Sequence, residues 1–471
     1  MKRTGVFAAA VAMSALLGAG LAHAQGADKG RAAFRDIYKE MVEIDSSPST
    51  GSCTAVVRAA EARLKAAGFS ADEYEVVIPE GKPDDGNIVA KISSTKKKPK
   101  KPVLLLAHID VVDAKREDWE RDPFTLYEQD GYFYGRGSAD DKSMAAVWLD
   151  LMIRLKQEKS FKPSRDIKMA LTCGEETSNR VNGVDYLVKN RRDWVDAGFA
   201  INEGGGGHLS EDGEPVWLTV GAGQKIHQVV AFEVTNPGGH SSRPVPDNAI
   251  YHLAGALKKL EAYSFPTELT DVVRESFRVR GPLEGGETGA AMSALAANPD
   301  DKDALAKLTA NPDTNPQLRT TCVATQIDAG HAPNALPQRA KAIVSCRAMQ
   351  TLSAEDLISQ LEAVVDDPEV KVTIERKRNS SPPLVLSDEV MGPIRKTAEK
   401  MWPGVTIVPA MGAGANDGRF LLAVGIPTYG INGMFSKSGE ANAHGLNEKI
   451  RVTSLYEGRD FLETIVRAYA K

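Results

Sequence analysis

The chain has 471 residues, and hydrophobic residues make up 42% of them, which is enough apolar material for two domains with separate cores. Its formal net charge of −5 and its isoelectric point near 6.0 argue against a general nucleic-acid-binding protein, so no nucleic acid partner is expected. No internal repeat is visible in the sequence.

Residues 1–24 have the pattern of a secretory signal peptide. A positively charged start precedes an apolar and small-residue run from Gly5 to Leu21, and residues 22–24 form a small-residue cleavage site. The alternative is an uncleaved anchor, but the run is rich in Ala and Gly and shorter than the roughly 20 strongly apolar residues of a spanning helix. We therefore expect a periplasmic or secreted mature chain from Gln25 onward, without stable membrane insertion.

Residues 25–221 are predicted to be the first part of a catalytic domain. Strands alternate with helices there, which indicates an α/β fold with a mixed, mainly parallel sheet between helices. The basic run Lys96–Lys101 is predicted to be a solvated hairpin turn between two strands. Helical spacing covers Lys29–Ile44, Cys53–Ala67, Met144–Gln157 and Gly183–Asn190, and strand-like runs cover Glu73–Ile78, Asn87–Ser93, Val103–His108, Asp166–Thr172 and Phe199–Asn202.

The pattern changes in residues 222–379. From Gln224 to Arg376 it reads strand, helix, insert, strand, strand, helix and strand, which predicts an inserted α+β two-layer lid domain. The insert, about residues 269–317, is rich in Gly, Pro, Asn and Ala. Strands and helices alternate again in residues 380–471, which are therefore predicted to be the second part of a discontinuous catalytic domain.

The four cysteines form two groups. Cys53 and Cys173 lie in different predicted elements and lack the spacing of a zinc site. Cys322 and Cys346 fall on two β-rich runs joined by a short turn, so they can face each other across an antiparallel pair. A disulfide and two buried thiols both fit, because a bridge requires a close Cα approach that a sequence does not show.

Histidines and carboxylates follow the apolar strands where each strand ends. Residues 104–108 form a buried strand that carries His108 to its C-terminal tip, the edge where open α/β sheets bind ligands. Asp110 points the same way and can hold the imidazole in one tautomer. Further candidates lie in Tyr134–Lys142, Leu171–Glu176, Ile201–Glu203 and Ala443–Glu448. A single residue of this kind at a strand end is usually a cap. The whole set instead suits a site that binds two metal ions through nitrogen and oxygen ligands, with zinc as the expected metal and cobalt or manganese as alternatives.

The order of these motifs resembles the di-zinc exopeptidase and amidohydrolase family. The motifs are H-x-D, G-R-G-x-x-D-D-K, G-E-E, N-E-G, N-P-G-G-H-S-S-R-P and a late A-H-G, and together they span nearly all of the mature chain. That family contains carboxypeptidase G, succinyl-diaminopimelate desuccinylase, aminoacylase and carnosinase. The long insert and the exported setting resemble the carboxypeptidase S and Gly-Xaa carboxypeptidase branch most.

The resemblance implies two Zn²⁺ ions per chain and a ligand for each motif. Asp140 would bridge the two ions. His108 and Glu203 would complete one metal site, and Glu176 and His444 would complete the other.

The resemblance also implies the catalytic groups. Glu175 would be the general base, and Asp110 would support the histidine ligand. His240 resembles the lid histidine that polarises the scissile carbonyl. The Asp140–Asp141 peptide is expected to be cis, which is rare for a bond without proline.

Three further residues are implied to bind the substrate. Asn334 and Arg347 resemble substrate-binding residues of the lid, and Arg347 is the expected partner of a substrate carboxylate. Arg419 is the alternative partner. It lies in Gly414–Phe420, which differs from the family's G-T-S-D-G-R-F loop by Ala and Asn at the second and third positions.

The function implied is an exported dinuclear zinc metallopeptidase of the carboxypeptidase or dipeptidase type, which hydrolyses the amide bond next to a free carboxylate in small peptides. An N-acyl amino acid amidohydrolase is the alternative, since both break such a bond. A periplasmic binding protein would not need Glu175 beside a full ligand set, and a structural zinc site would favour thiolates. A homodimer through the lid is expected, because relatives often dimerise there and unpaired sheet edges invite pairing.

Overall fold

The structure is a computed structural model, and it describes residues 30–177, 179–377, 381–382, 384–412 and 416–471. The predicted signal peptide, residues 1–24, lies outside the described residues. The chain forms two compact units. Unit 1 comprises the described residues of Met1–Val195 and Gly433–Lys471, and unit 2 comprises the described residues of Asp196–Asn432. None of the described helices combines the length and apolar character that a bilayer-spanning segment requires.

The first segment of unit 1 alternates strands and helices. Its elements are α1 (residues 30–43), α2 (Cys53–Ala66), β1 (Tyr74–Val77), β2 (Asn87–Ile92), β3 (Lys100–His108), β4 (Tyr127–Gln129), β5 (Tyr132–Tyr134), α3 (Lys142–Gln157), β6 (Arg165–Thr172), α4 (Gly183–Asn190) and α5 (Arg192–Val195). The main sheet of this unit has the order β1-β2-β6-β3, in which β3 and β6 are parallel and the other neighbours are antiparallel.

The buried strand β3 positions the site residues that follow it. Its last six residues, Val103 to His108, are all buried, as expected of a strand that is covered on both faces. Helix α3 packs against it, and the Trp148 indole donates a hydrogen bond of 3.0 Å to the Leu106 carbonyl. The predicted hairpin at Lys96–Lys101 is wrong, because β6 pairs with both β2 and β3 and separates them.

Unit 2 contains two larger sheets and a group of helices. Its elements are β7 (Phe199–Asn202), β8 (Gly206–Leu209), β9 (Pro215–Gln224), β10 (Ile226–Thr235), β11 (Gly239–His240), α6 (Ala249–Ala262), α7 (Asp271–Glu284), α8 (Gly286–Ala297), α9 (Lys302–Ala310), α10 (Asn315–Leu318), β12 (Thr321–Ala329), β13 (Ala335–Leu336), β14 (Arg339–Ala348), α11 (Ala354–Val365), β15 (Lys371–Arg376), α12 (Asp388–Met401), β16 (Thr406–Gly412), α13 (Gly418–Ala423) and β17 (Thr428–Gly430). In the first sheet, β17 is parallel to β7, β9 is antiparallel to β17 and β8, and β16 is parallel to β9.

The second sheet of unit 2 is the lid sheet, with the antiparallel order β12-β14-β10-β15. Apolar residues of β10 and β14, such as Phe232 and Val344, share one core with Leu253 of α6 and Leu361 of α11. The two helices therefore cover one face of the sheet. The predicted order of elements and the two-layer α+β lid are confirmed.

The predicted insert folds into helices α7 to α10. Phe277, Met292 and Leu308 share a core with Ala222 and Met411, which lie near the ends of β9 and β16. Two glycines let α7 and α8 approach closely, because a Cβ on Gly281 would lie 2.8 Å from the Gly289 carbonyl oxygen. The insert is thus a helical layer against the first sheet of unit 2.

The chain returns to unit 1 after Asn432. Its last elements are β18 (Phe435–Ser436), β19 (Lys449–Arg451) and α14 (Val452–Tyr469). Strand β19 pairs with β5, and Arg459 of α14 donates to Asp150 of α3 at 2.9 Å. The α/β class is confirmed, and the domain limits proposed from the sequence stay predictions.

Both cysteine pairs form disulfides. Cys53 of α2 bonds to Cys173 with a Cα separation of 6.0 Å, and Cys322 bonds to Cys346 across β12 and β14 with a Cα separation of 4.0 Å. The sequence left the second pair open and gave no sign of the first, because 120 residues separate Cys53 from Cys173.

Candidate active site

Two histidines and two carboxylates meet in unit 1. Ligand atoms of His108, Asp140 and Glu176 all lie within 4.8 Å of one another. His108 Nε2 is 3.1 Å from Asp140 Oδ1, and His444 Nε2 is 3.3 Å from Asp140 Oδ2 and 2.9 Å from Glu176 Oε1. Asp140 therefore lies between the two imidazoles, with one oxygen facing each.

Asp110 orders the neighbourhood of His108 through its backbone as well as its side chain. His108 Nδ1 donates to the Asp110 carbonyl oxygen at 3.0 Å, whereas the Asp110 carboxylate is 3.7 Å away. The carboxylate instead accepts the backbone N–H groups of Glu175 at 3.2 Å and Glu176 at 3.0 Å. Asp110 thus fixes the imidazole and also the turn that carries the predicted base.

The Asp140 loop is held by a buried carboxylate, Glu448. Its oxygens accept the backbone N–H groups of Gly137 at 2.9 Å, Ala139 at 2.8 Å and Asp140 at 3.0 Å, and Arg136 donates to it at 2.8 Å. The Asp140–Asp141 peptide is cis, as the family resemblance implies. Sequence reasoning missed Glu448, because a glutamate in a polar loop gives no sign of burial.

The loop that carries His444 is tightly wound. Asn442, His444 and Asn447 all have positive φ angles of 50° to 62°. Non-glycine residues rarely adopt this left-handed conformation, although Asn and His do so more often than most. The Asn442 carbonyl accepts the N–H of Gly445 at 2.8 Å, which closes the loop and directs the His444 ring towards Asp140 and Glu176.

The turn that carries Glu175 and Glu176 is anchored at its base. Cys173, two residues before Glu175, is bonded to Cys53 of α2. The Arg180 guanidinium lies 3.5 Å from both sulfur atoms and donates to the Gly51 carbonyl at 2.8 Å. The disulfide and Arg180 therefore hold the start and the end of this turn against α2.

The donor chemistry of this cluster fits a metal ion. Because His108 Nδ1 donates to a carbonyl, neutral His108 presents a lone pair on Nε2 towards the Asp140 carboxylate. His108 Nε2 and Asp140 Oδ1 are then two acceptor atoms 3.1 Å apart, so a proton or a cation must lie between them. Imidazole nitrogens and carboxylate oxygens are ligands that zinc prefers.

The electrostatics of the cluster favour positive charge. Burial alone would raise the pKa of Asp140, but hydrogen bonds from His108 and His444, when their Nε2 atoms carry a proton, hold that pKa below its usual range. Hydrogen bonds to Asp140 and Glu176 raise the pKa of His444 to about 10. A proton and a metal ion therefore compete for His444 Nε2.

Zinc binding is expected to release about one proton per chain from His444 near neutral pH. A metal ligand must be the neutral imidazole, so the apparent zinc affinity should rise with pH up to about 10, the pKa of this group. Calorimetric titration in buffers of different ionisation enthalpy measures the released protons. The variant His444→Ala is the control and should release about one proton fewer on zinc binding. Equal proton release by the wild type and this variant would show that His444 is not the source of the proton.

The other predicted site residues lie in unit 2. Glu203 directly follows β7, and its carbonyl accepts a hydrogen bond of 3.3 Å from the Asn416 side chain. Glu203 and Asn416 line a cavity of about 240 Å³ that also includes Gly223 and Gly412 at the ends of β9 and β16. The role of Glu203 as a metal ligand stays a prediction.

The predicted lid residues His240 and Asn334 are neighbours. Strands β11 and β13 pair His240 with Ala335, and the Ser241 N–H donates to the Asn334 carbonyl at 3.1 Å. The Ser242 N–H donates to His240 Nδ1 at 3.2 Å, so Nε2 is the ring nitrogen left to face outward. Both residues are exposed.

The two predicted arginines occupy different places in unit 2. Arg347 is half-buried on β14, directly opposite His227 of β10 and Thr321 of β12. Burial lowers its pKa below the usual arginine value. Arg419 lies on α13 with its guanidinium 4.5 Å from the centre of the Phe420 ring, and residues 413–415 before it lie outside the described residues.

Comparison with known proteins identifies the family. The sequence matches the family described as Peptidase family M20/M25/M40 over residues 104–468, which is most of the chain. The chain belongs to this family. It is therefore a metallohydrolase, and the resemblance inferred from the motifs is confirmed. Family members depend on metal ions, typically two.

Individual relatives differ in their described activities. The chain is 29% identical to N-fatty-acyl-amino acid synthase/hydrolase PM20D1.1 of Danio rerio, over 76% of this chain and 70% of the relative. It is 25% identical to Aminoacylase-1 of Mus musculus, over 92% of this chain and 93% of the relative. The solved structure of the M20 family metallo-carboxypeptidase Sso-CP2 from Sulfolobus solfataricus covers 93% of this chain and 99% of its own, with a TM-score of 0.66 and 20% identity. The last comparison establishes the shared fold.

Proposed function

We propose that the protein is a dinuclear zinc hydrolase that cleaves the amide bond next to a free carboxylate in dipeptides or small peptides. The observation that carries this proposal is the meeting of His108, Asp140, Glu176 and His444 beside Glu175. A ligand set of this composition with an adjacent carboxylate is what metal-assisted hydrolysis requires.

The chain's own residues divide the work of hydrolysis. A bound zinc pair would lower the pKa of a water molecule to near neutrality and polarise the scissile carbonyl. Glu175 accepts the proton of the attacking water and returns it to the leaving amine. Asp110 keeps Glu175 and Glu176 in place by accepting both of their N–H groups.

An N-acyl amino acid amidohydrolase is the second candidate. It is favoured by the relatives named above, which are described as an N-fatty-acyl-amino acid synthase/hydrolase and an aminoacylase. Both candidate substrates place an amide beside a carboxylate, so the same groups serve either. A screen of the zinc-loaded protein against dipeptides and N-acyl amino acids decides between them, and activity on neither class would reject the proposal.

A substrate carboxylate needs a fixed cation, because its desolvation in a closed cleft is costly. For substrates with a free carboxylate, Arg347→Ala is expected to lower kcat/KM by an amount that corresponds to a loss of about 2–4 kcal/mol of transition-state stabilisation. Substrates amidated at that end should already have a low kcat/KM with the wild type, and Arg347→Ala should lower it little further. Steady-state kinetics on both substrate types measures the difference.

The matched control for Arg347 is Arg339→Ala on the same strand. Arg339 is 59% exposed and pairs with Glu233 at 2.9 Å, so its loss should leave both substrate types unaffected. Equal losses on free-acid and amidated substrates in Arg347→Ala would show that this arginine acts on folding instead.

Export to the periplasm or the exterior is part of the proposal. Two disulfides support it, because such bonds persist in oxidising compartments. The predicted signal peptide also supports it. N-terminal sequencing of the mature protein tests cleavage after Ala24, and an intact N-terminus in the cytoplasmic fraction would reject it.

A homodimer through the lid is the proposed assembly. Strand β12 is an edge strand with every residue from Val323 to Ala329 exposed, and Val323 and Ile327 are 61% and 65% exposed. Exposed edges with apolar side chains favour pairing. The double variant Val323→Lys/Ile327→Lys is expected to be monomeric where the wild type is dimeric, as measured by light scattering at micromolar concentration.

The control for this surface is Leu283→Lys, which changes an equally apolar residue on α7 that is 42% exposed. It should leave the dimer intact. A monomeric wild type would contradict the proposed assembly, and so would a double variant that still dimerises.

A further inference from the structure

The connection from β2 to β3 in unit 1 is strongly basic. Residues 93–101 contain five lysines and no aspartate or glutamate. These lysines are all exposed, and they are Lys96, Lys97, Lys98, Lys100 and Lys101. Five like charges so close together repel one another, so this segment favours contact with negative charge.

A second basic connection lies beside the first. The segment between α3 and β6 contributes two more exposed lysines, Lys159 and Lys162. The Pro163 carbonyl in this segment accepts the Thr95 N–H at 3.1 Å and the Ser94 hydroxyl at 3.0 Å. The two connections therefore form one surface with seven lysines, the basic face.

The carboxylates of the two connections are already engaged. Glu158 pairs with Arg467 at 2.6 Å, and Asp166 accepts the Ser94 N–H at 2.7 Å. Within the part of the chain that the structure describes, no carboxylate forms an ion pair with a lysine of the basic face. The basic face thus presents unneutralised positive charge, although the whole chain has a formal net charge of −5.

The residue types of the basic face favour a fluid anionic surface over a single bound anion. All seven cations are lysines, which act as point charges, whereas the planar fork of arginine gives bidentate recognition of one phosphate or carboxylate. The aromatic residue of the two connections is Phe161, and the Arg467 guanidinium covers its ring at 5.5 Å from the centre. This ring is therefore not available to stack on nucleic-acid bases.

The basic face and the candidate metal cluster lie at opposite ends of β3. Lys100 begins this strand and His108 ends it, so about 25 Å of extended chain separates them. Strand β6 runs parallel to β3 and also begins at the basic face. Salt limits electrostatic attraction to about 8 Å at physiological ionic strength, so the charge of the contacting face matters more than the net charge.

We propose that the basic face adsorbs the protein to the surface of a bilayer that contains anionic phospholipid. The contact is peripheral and electrostatic, because mobile lipid phosphates can gather around exposed lysines. Each lysine close to such a surface changes the partition coefficient by about 5-fold, so several lysines together give reversible binding. This inference does not depend on which substrate the enzyme cleaves.

The test measures co-sedimentation of the zinc-loaded protein with lipid vesicles. The wild type should bind vesicles of equal parts phosphatidylcholine and phosphatidylglycerol at about 0.1 M salt, and about 1 M salt should release it. It should not bind vesicles of phosphatidylcholine alone. The triple variant Lys96→Gln/Lys97→Gln/Lys98→Gln should lower the partition coefficient by roughly 100-fold. These side chains are exposed, so the variant should fold like the wild type.

The matched control is Lys189→Gln/Lys258→Gln/Lys307→Gln, which has the same net charge as the test variant. These three lysines lie outside the basic face and are 67%, 79% and 60% exposed, and the control should bind like the wild type. A wild type that ignores phosphatidylglycerol, or equal losses in the two triple variants, would overturn the proposal. Binding to soluble heparin without binding to the vesicles would also overturn it and would assign the basic face to an anionic polymer.

Discussion

Replacing Glu175 by glutamine is expected to lower kcat by roughly 10²–10⁴-fold while the protein still binds about two zinc ions. Glutamine keeps the size of the side chain but cannot accept a proton at neutral pH. The metal cluster should survive, because the predicted ligand is the next residue, Glu176, whose oxygen is 2.9 Å from His444. Metal analysis and single-turnover kinetics measure the two effects separately.

The variant Glu175→Gln should leave the backbone of this turn unchanged. The N–H groups of Glu175 and Glu176 both donate to Asp110, and these hydrogen bonds do not involve the Glu175 side chain. The matched control is Glu75→Gln, which removes a carboxylate of β1 that accepts from Arg191 and Trp194. Normal turnover in Glu175→Gln would assign the base to another residue, and loss of metal would make Glu175 a ligand.

The fold was predictable where local pattern and tertiary packing agree. The apolar run ending at His108 was predicted to be a buried strand and is one, and the order of elements from Gln224 to Arg376 followed from the changes in periodicity along the chain. The hairpin at Lys96–Lys101 was wrong because pairing between strands is a non-local property. Strand β6, which arrives 57 residues after His108 in the chain, takes the place between β2 and β3.

The candidate site also has a part that could be predicted from the sequence and a part that could not. The resemblance of the motif order to the family predicted that His108, Asp140, Glu176 and His444 belong to one group, and the structure brings these four together. Sequence could not reveal Glu448, since its function depends on three N–H groups that only the folded loop brings together. The Cys53–Cys173 bond was equally hidden, because α2 and the end of β6 meet only in the folded unit.

Replacing Asp140 by alanine is expected to remove most of the bound zinc, whereas His444→Ala should weaken mainly one of the two proposed metal positions. Asp140 is the residue between the imidazoles, with Oδ1 3.1 Å from His108 and Oδ2 3.3 Å from His444. Its loss removes one polar partner from each histidine, while His108 keeps the Asp110 carbonyl and His444 keeps the Glu176 carboxylate. Metal counting by mass spectrometry and anomalous diffraction measure occupancy at each position.

Folding must be separated from metal loss in this test, because the Asp140 loop is part of a buried network. The network is anchored by Glu448, which accepts the N–H of residue 140 at 3.0 Å, and this bond is formed by the backbone of any residue. Asp140→Ala should therefore keep the loop hydrogen bonds, and Asp140→Asn, which keeps the shape but loses the charge, should bind zinc almost as poorly. A folded Asp140→Ala protein with full zinc content would place the bridging ligand elsewhere. Reduced zinc in Asp140→Ala but not in Asp140→Asn would instead indicate that shape matters more than charge at this position.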